Sequence, residues 1–155
     1  MLKKFLACLL SLVLPLVAVS KERHVLTGKV VHVLDGDTLI LLQNKTQYRI
    51  RLTEIDAPEK NQPFGAQARK HLMALCHNGR AQVFVHGKDK YGRTLGRVYC
   101  NGVDANAEQV RAGLAWVYDR YVSDLTLYQL QSDARRARRG LWAGKDPIPP
   151  WQWRN

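Results

Sequence analysis

Five short segments rich in β-branched residues, a helical pattern after the third, and further helical patterns near the C-terminus predict a mainly β protein of the α+β class. This order fits a five-stranded OB-fold barrel with three α-helices. Strand spacing alone is also compatible with another small α+β arrangement. The predicted strands, in chain order, are residues 25–34, 38–42, 48–52, 81–86 and 94–99.

Turn signals and alternation define the first three strands. The first strand ends at Asp35-Gly36, and residues 43–45 form a polar turn after the second, so the three strands should form a meander. In segment 48–52, arginines alternate with large apolar or aromatic residues. Because side chains alternate between the two faces of a strand, Arg51 should point away from the face that carries Ile50.

Proline, glycine and capping residues place the first two predicted helices. The first covers residues 63–76, because proline is favoured at the first helical position, and Gly79 follows it as a C-cap. The second helix is capped by Asp104 or Asn106 and ends at Gly113.

The third predicted helix begins after Ser123 or Asp124, either of which is a suitable N-cap, and Gly140 lies near its end. Its apolar residues recur at helical spacing and form one stripe. The stripe consists of Leu127, Leu130, Ala134, Ala137 and Leu141.

The chain divides into a leader, a domain and a tail. Residues 1–20 begin with two lysines, continue as an apolar run and end in small residues, which is typical of a signal peptide cleaved before Lys21. An uncleaved anchor is the alternative, but the run is shorter than the roughly 20 residues that span a membrane. Residues 21–145 suit one domain, and the Pro/Trp-rich residues 146–155 suit a tail laid over it. We therefore expect an exported protein, periplasmic or secreted, without stable membrane insertion after cleavage.

The charge pattern favours a polyanionic partner. The formal net charge is +11, of which two charges belong to Lys3 and Lys4 in the leader. Simple solubility is the alternative explanation for such an excess. Five acidic residues nevertheless fall within positions 35–59 of this basic chain, and clustered carboxylates indicate a site for a hard cation.

Two cysteines remain after the leader, Cys76 and Cys100. In an exported protein one disulfide between them is the simplest hypothesis. Two buried free thiols are the alternative.

Carboxylates at strand ends are the strongest local signal for chemistry. Asp37 precedes the second predicted strand and Asp56 follows the third, so both can meet at one rim of the barrel and bind a metal through oxygen. The alternative for Asp35-Gly36 is an ordinary hairpin turn.

Three further side chains complement these aspartates. Glu59 lies in the loop beside the predicted metal and suits a general base that orients or deprotonates water. Arg51 and Arg93 suit a phosphodiester under attack, because guanidinium groups bind its equatorial oxygens with paired hydrogen bonds. Each of these residues alone is more often an ordinary surface charge.

Four segments, residues 33–38, 51–59, 89–93 and 106–115, resemble the staphylococcal nuclease (thermonuclease) family in the same order and at similar spacing. The resemblance covers roughly residues 27–142. It implies the five-stranded OB-fold barrel with three helices.

The resemblance also implies the site. Asp37 and Asp56 correspond to the calcium carboxylates, Asp35 would support them, and Ala57 would offer its backbone carbonyl where the prototype has threonine. Arg51, Glu59 and Arg93 correspond to catalytic positions. The implied reaction is calcium-assisted attack of water on phosphorus in DNA or RNA, with 3′-phosphorylated products.

Substrate-binding positions follow less directly. Lys90 and Tyr91 resemble residues that contact the terminal phosphate of a nucleotide, and Tyr118 and Tyr121 are offered where the prototype places two tyrosines against the nucleotide. Aromatic stacking tolerates any base, which suits single-stranded DNA and RNA. A monomer is the default for such a small charged domain.

A non-catalytic module that binds single-stranded nucleic acid is the alternative function, since OB-fold barrels also serve that purpose. Such a module has no need of the five charged residues described above, and all five are present. We therefore expect a sugar-nonspecific endonuclease.

Overall fold

The computed structural model describes residues 24–155, so the predicted signal peptide lies outside the described residues. Five long strands form the predicted barrel. They are β1 (Val25–Val33), β2 (Thr38–Gln43), β3 (Thr46–Leu52), β5 (Arg80–Lys88) and β6 (Thr94–Cys100). Short strand β7 (Val103–Asp104) pairs with β6, while β4 (Ile55–Asp56) and β8 (Trp116–Val117) form a separate two-stranded sheet.

Barrel closure depends on one parallel pairing. Strands run in the order β3-β2-β1-β5-β6-β7, and β3 also pairs with β6 in parallel, so that Arg51 lies opposite Leu95. The remaining long neighbours are antiparallel. Buried aliphatic side chains that fill the core include Val30, Leu39, Leu41, Ile50, Leu52, Val83 and Val98. The five-stranded, mainly β architecture is therefore as predicted.

The helices are α1 (Gly65–Cys76), α2 (Ala105–Arg111), α3 (Thr126–Arg136) and the short α4 (Pro150–Trp153), with a 3₁₀ turn at Gly140–Ala143. Three were predicted, and the fourth lies in the tail. None of the helices within residues 24–155 combines the length and apolar character needed to span a membrane.

Helix α1 ends at Cys76 as predicted, but it begins two residues later than predicted. Pro63 lies in a turn, and the helix begins at Gly65 after Phe64 in a left-handed conformation. A Cβ on Gly65 would lie 2.0 Å from the carbonyl oxygen of Glu59, so the chain turns too tightly there for an earlier helical start. After the helix, the left-handed residue is Asn78, with a φ of 60°, and not the predicted cap Gly79.

Helix α2 follows the prediction at both ends. The Asp104 carboxylate accepts a hydrogen bond from the Ala107 amide, and Gly113 has a φ of 69°. Asp104 is therefore the cap. Asn106 has a different role: its side-chain oxygen accepts from the Val98 amide, and its side-chain nitrogen donates to the Thr53 carbonyl.

Helix α3 is shorter than its apolar stripe. Leu125 takes the N-cap position without a side-chain bond, while the neighbouring Asp124 carboxylate accepts from the Thr126 amide at 3.0 Å. The helix stops at Arg136, and Leu141 belongs to the 3₁₀ turn. Arg138 has a left-handed φ of 52°, and the Arg139 amide donates to the Ala134 carbonyl at 3.0 Å, which is the Schellman arrangement that ends a helix. Gly140 lies against Gly113, because a Cβ on Gly140 would be 2.3 Å from the Gly113 oxygen.

A disulfide joins Cys76 at the end of α1 to Cys100 at the end of β6, with Cα atoms 5.1 Å apart. The alternative of two free thiols was wrong. The bond closes a sequence separation of 24 residues and fastens the helix to the barrel.

Loss of this disulfide should lower the free energy of unfolding by about 3–4 kcal/mol, because the reduced unfolded chain gains loop entropy. We expect this loss in urea unfolding of the Cys76→Ala/Cys100→Ala variant. Reductant isolates the effect of the bond, since it leaves both buried sulfurs in place. Wild-type protein that unfolds at the same urea concentration with and without reductant, while shown to be reduced, would contradict the prediction.

Candidate active site

Strand pairing brings Asp37 and Arg51 to the same end of the barrel. Thr38, which begins β2, lies opposite Arg51 near the end of β3. The Leu52 amide donates to the Asp37 carbonyl at 2.8 Å, so the residue before β2 is held beside the end of β3. This register places the Asp37 carboxylate next to the Arg51 guanidinium.

One guanidinium nitrogen joins the two predicted metal-binding carboxylates. Arg51 Nη2 lies 3.2 Å from Asp37 Oδ2 and 2.9 Å from Asp56 Oδ1. Arg51 Nη1 donates to the carbonyls of Leu52 at 2.6 Å and Ile55 at 3.0 Å, which fixes the orientation of the guanidinium plane. The predicted convergence of Asp37, Arg51 and Asp56 is therefore present in the structure.

Short strand β4 holds the second carboxylate. The backbone of Asp56 pairs with that of Trp116 in β8, and Asp56 is only 1% exposed. The next amide, that of Ala57, donates to Asp37 Oδ2 at 2.7 Å. Asp37 itself is 6% exposed, so both carboxylates lie in a region largely shielded from water.

A tightly packed loop carries Asp35 and Asp37. The Asp37 amide donates to Asp35 Oδ1 at 3.0 Å. A Cβ on Gly36 would lie 2.6 Å from the Ala68 Cβ and 2.7 Å from the Ala57 Cβ, so only glycine allows this approach. The Asp35 carboxylate therefore holds the backbone amide of Asp37.

The carboxylates make this end of the barrel electrostatically favourable for a cation. Burial and the neighbouring Asp37 charge raise the pKa of Asp35 to about 6. Burial also raises the pKa of Asp56, and this effect exceeds the opposing hydrogen bond from Arg154 and the charge of Arg51. Additional positive charge would stabilise the ionised form of both groups.

Glu59 reaches the same site through a residue of the tail. Arg154 Nη1 donates to Glu59 Oε1 at 2.6 Å, and Arg154 Nη2 lies 2.8 Å from Asp56 Oδ2. Hydrogen bonding to Asp56 raises the pKa of Arg154 above its ordinary value. Gln62 holds the Glu59 loop, since its side-chain oxygen accepts from the Glu59 amide at 3.0 Å.

Arg93 lies on the neighbouring strand with a different partner. It immediately precedes β6, and its Nε donates to Asp89 Oδ2 at 2.6 Å. Among residues 24–155 it makes no ion pair with Asp37, Asp56 or Glu59. The structure therefore brings Asp37, Arg51, Asp56 and Glu59 together, while Arg93 lies in the adjacent loop.

Comparison with known proteins identifies the family. A family model described as "Staphylococcal nuclease homologue" matches residues 49–144. The chain belongs to the staphylococcal nuclease family. As a member of that family it is a hydrolytic nuclease.

Three relatives are similar over most of their length. A protein of Escherichia coli O157:H7 named "Uncharacterized endonuclease" is 46% identical, with 83% of this chain and 84% of the relative covered. The "Micrococcal nuclease" of Shigella flexneri is 41% identical, with 82% and 79% covered. An "Uncharacterized endonuclease" of Haemophilus influenzae is 41% identical, with 98% and 85% covered.

The donor atoms of the nuclease fit a hard cation with few protein ligands. Asp37 Oδ2 and Asp56 Oδ1 both contact Arg51 Nη2, so they lie no farther apart than the sum of those two contacts. Carboxylate and carbonyl oxygens are the ligands that Ca²⁺ takes, at about 2.3–2.6 Å. Within residues 24–155 no group of three or more His, Cys, Asp or Glu side chains is arranged for a metal. Water and substrate would therefore complete the coordination of any cation held here.

The predicted substrate-binding residues form two separate groups. Lys90 and Tyr91 lie in the β5–β6 loop, where the Lys90 ammonium lies 5.0 Å from the Tyr91 ring centroid and Tyr91 is 72% exposed. Tyr118 and Tyr121 contact each other edge to face, at 5.2 Å between centroids. One face of Tyr118 stacks on Trp151 of the tail at 5.4 Å, so only Tyr121 of this pair presents an exposed ring.

Two residues that contact the candidate site or its supporting loop were not predicted from the sequence. Arg154 lies in a tail whose composition indicates packing and gives no signal for a site. Gln109 lies inside the recognised segment 106–115, and its buried side chain donates to the carbonyls of Gly36 at 2.5 Å and Ala68 at 3.0 Å. Gln109 thereby fixes the loop that carries Asp37, a role that only the contact between distant segments reveals.

Proposed function

We propose that this nuclease is calcium-dependent and cleaves phosphodiester bonds of both DNA and RNA, leaving 3′-phosphorylated products. The observation that carries the proposal is the shared contact of the Asp37 and Asp56 carboxylates with Arg51 Nη2, in a region largely shielded from water. The carboxylate oxygens can bind a divalent cation, and the adjacent guanidinium can bind a phosphate.

A bound Ca²⁺ would supply positive charge that stabilises the phosphate oxygens as the reaction proceeds. Arg51 binds an equatorial phosphate oxygen. Its hydrogen bonds to the Leu52 and Ile55 carbonyls keep the guanidinium plane in a fixed orientation. Glu59 accepts the proton of the attacking water as its oxygen bonds to phosphorus. The P–O5′ bond breaks, and the leaving 5′ oxygen takes a proton from solvent, which gives a 3′-phosphate and a 5′-hydroxyl. Arg93 exchanges its Asp89 partner for a second phosphate oxygen, which places guanidinium groups on two adjacent strands around the reacting group.

The surface supports nucleic-acid binding without base readout. The formal net charge is +11 for the full chain and, without Lys3 and Lys4 of the proposed leader, 11 − 2 = +9, which attracts the phosphate backbone. Lys90 and Tyr91 supply a cation and an exposed ring next to Arg93, and Tyr121 supplies another ring beside Tyr118. A base stacked on such a ring contributes about 1–3 kcal/mol whatever its identity, which favours single strands.

We further propose that the protein is exported to the periplasm or the medium and acts as a monomer. The charged and apolar character of residues 1–20 supports export. The Cys76–Cys100 disulfide supports an oxidising compartment.

Calcium dependence and the role of Glu59 can be tested together. Purified protein is incubated with denatured DNA, duplex DNA and RNA, with Ca²⁺ or with chelator, and the product ends are tested for a 3′-phosphate with phosphatase. We expect turnover only with Ca²⁺, faster on denatured DNA. Glu59→Gln should lower the rate on the order of 10²–10⁴-fold, because water loses its proton acceptor.

Glu108→Gln is the matched control, since Glu108 pairs with Arg111 on the surface of α2. Equal turnover in chelator and in Ca²⁺, or a Glu59→Gln rate equal to that of Glu108→Gln, would refute the assignment. Salt-sensitive binding of single strands without any loss of polymer length would instead favour the non-catalytic module.

A further inference from the structure

Three sets of contacts hold the C-terminal segment, residues 147–155, beside the candidate active site. The Gln62 side chain donates to the Ile148 carbonyl at 2.6 Å. Trp151 stacks on Tyr118 and lies edge to face against Trp116, and Trp153 Nε1 is 3.4 Å from Asn61 Oδ1. These contacts hold the end of α4 beside the loop that carries Glu59.

Arg154 extends from this anchored segment into the carboxylates. Its guanidinium bridges Asp56 Oδ2 at 2.8 Å and Glu59 Oε1 at 2.6 Å, and Nη1 also lies 3.4 Å from Asp56 Oδ1. Asp56 is thereby contacted by two guanidinium groups, those of Arg51 and Arg154. Arg154 therefore uses both oxygens of one predicted metal ligand and an oxygen of the predicted general base.

A divalent cation at Asp56 requires the same oxygens. A cation held there would also lie within a few ångströms of the Arg154 charge, with little water between them to screen the repulsion. A cation bound through Asp56 Oδ2 would therefore compete with Arg154 for that oxygen. The anchored tail raises the effective concentration of the guanidinium at this site, which makes it a strong competitor.

We propose that Arg154 is a positioning residue that competes with the divalent cation for Asp56 and so sets the cation concentration at which the site fills. This inference rests on the proposed cation site. In the cation-free protein Arg154 satisfies Asp56 and restrains Glu59. Cation binding releases Arg154, which frees Glu59 to accept a proton from water.

The test measures binding of the metal alone, without substrate. Calorimetric titration with Ca²⁺ is compared for the wild type, Arg154→Ala and Arg154→Lys. We expect Arg154→Ala to bind Ca²⁺ more tightly, on the order of tenfold, because the competing contact is gone. Arg154→Lys should lie between the two, since an ammonium group keeps the charge and loses the bridge to Glu59.

Arg136→Ala is the matched control, because it removes the same charge from an exposed position on α3. Urea unfolding of each variant establishes that the compared proteins are folded. Arg154→Ala affinity that is equal to or weaker than that of Arg136→Ala would overturn the inference while leaving the cation site intact. No Ca²⁺ binding by the wild type or by Arg154→Ala would overturn both this inference and the proposed calcium dependence.

Discussion

Arg51→Lys is expected to lower kcat/KM for nucleic-acid cleavage roughly 100- to 1000-fold, the cost typical of losing one preorganised donor to the reacting group. Lysine keeps the charge but has a single nitrogen. It cannot contact Asp37 and Asp56 while also donating to two backbone carbonyls, as the arginine does. Because the arginine acts on charge that develops during the reaction, kcat should fall together with kcat/KM.

Arg49→Lys on the same strand is the control, since Arg49 is exposed and lies two positions away. Steady-state rates with a fluorescent single-stranded oligonucleotide measure both variants, and urea unfolding establishes that each is folded. If folded Arg51→Lys matches Arg49→Lys in kcat/KM, the guanidinium geometry has no catalytic role.

Arg97→Ala is expected to cause the largest loss of stability, about 3–5 kcal/mol, because it leaves charges without their partner. Arg97 lies within 2.7 to 3.0 Å of three carboxylates, those of Glu54, Asp104 and Asp124. These hydrogen bonds and charges raise the pKa of Arg97 above its ordinary value, despite the opposing effect of burial. The network joins the turn after β3 to β6, the α2 cap and the loop before α3.

Urea unfolding should show a lower midpoint for Arg97→Ala with an unchanged slope. Arg111→Ala is the control, because its ion pair with Glu108 is exposed and should contribute only about 0–1 kcal/mol. Equal midpoints for the two variants would show that the network does not stabilise the fold.

Glu54 gives this network a defined pH dependence. Burial opposes its ionisation, but bonds from Ser123, the Asp124 amide and Arg97 outweigh burial and lower its pKa. The stabilisation is therefore present above the unfolded pKa, near 4.3, and is lost as the pH falls through the lower folded value. The unfolding free energy of Arg97→Ala should accordingly depend less on pH in this acid range than that of the wild type.

The site and the fold were predictable to different extents. Alternation in β3 correctly placed Arg51 away from Ile50, because a strand alternates its faces whatever it packs against. Helix ends were less predictable: α3 stops at Arg136 although its apolar stripe continues to Leu141. The left-handed conformation of Arg138 decides that end, and an arginine gives no signal for it because this conformation is usually taken by glycine or asparagine.

Local patterns in the sequence determined the five long strands and the carboxylates at their ends, since each depends on neighbours along the chain. Tertiary structure alone decided the parallel pairing of β3 with β6 and the hydrogen bonds by which Gln109 holds the Asp37 loop. It also decided the position of Arg154 between Asp56 and Glu59. Arg154 lies 98 positions from Asp56, and their contact depends on how an aromatic tail packs on the finished barrel. Interactions of that kind arise from the folded surface, because only folding brings such distant residues within reach.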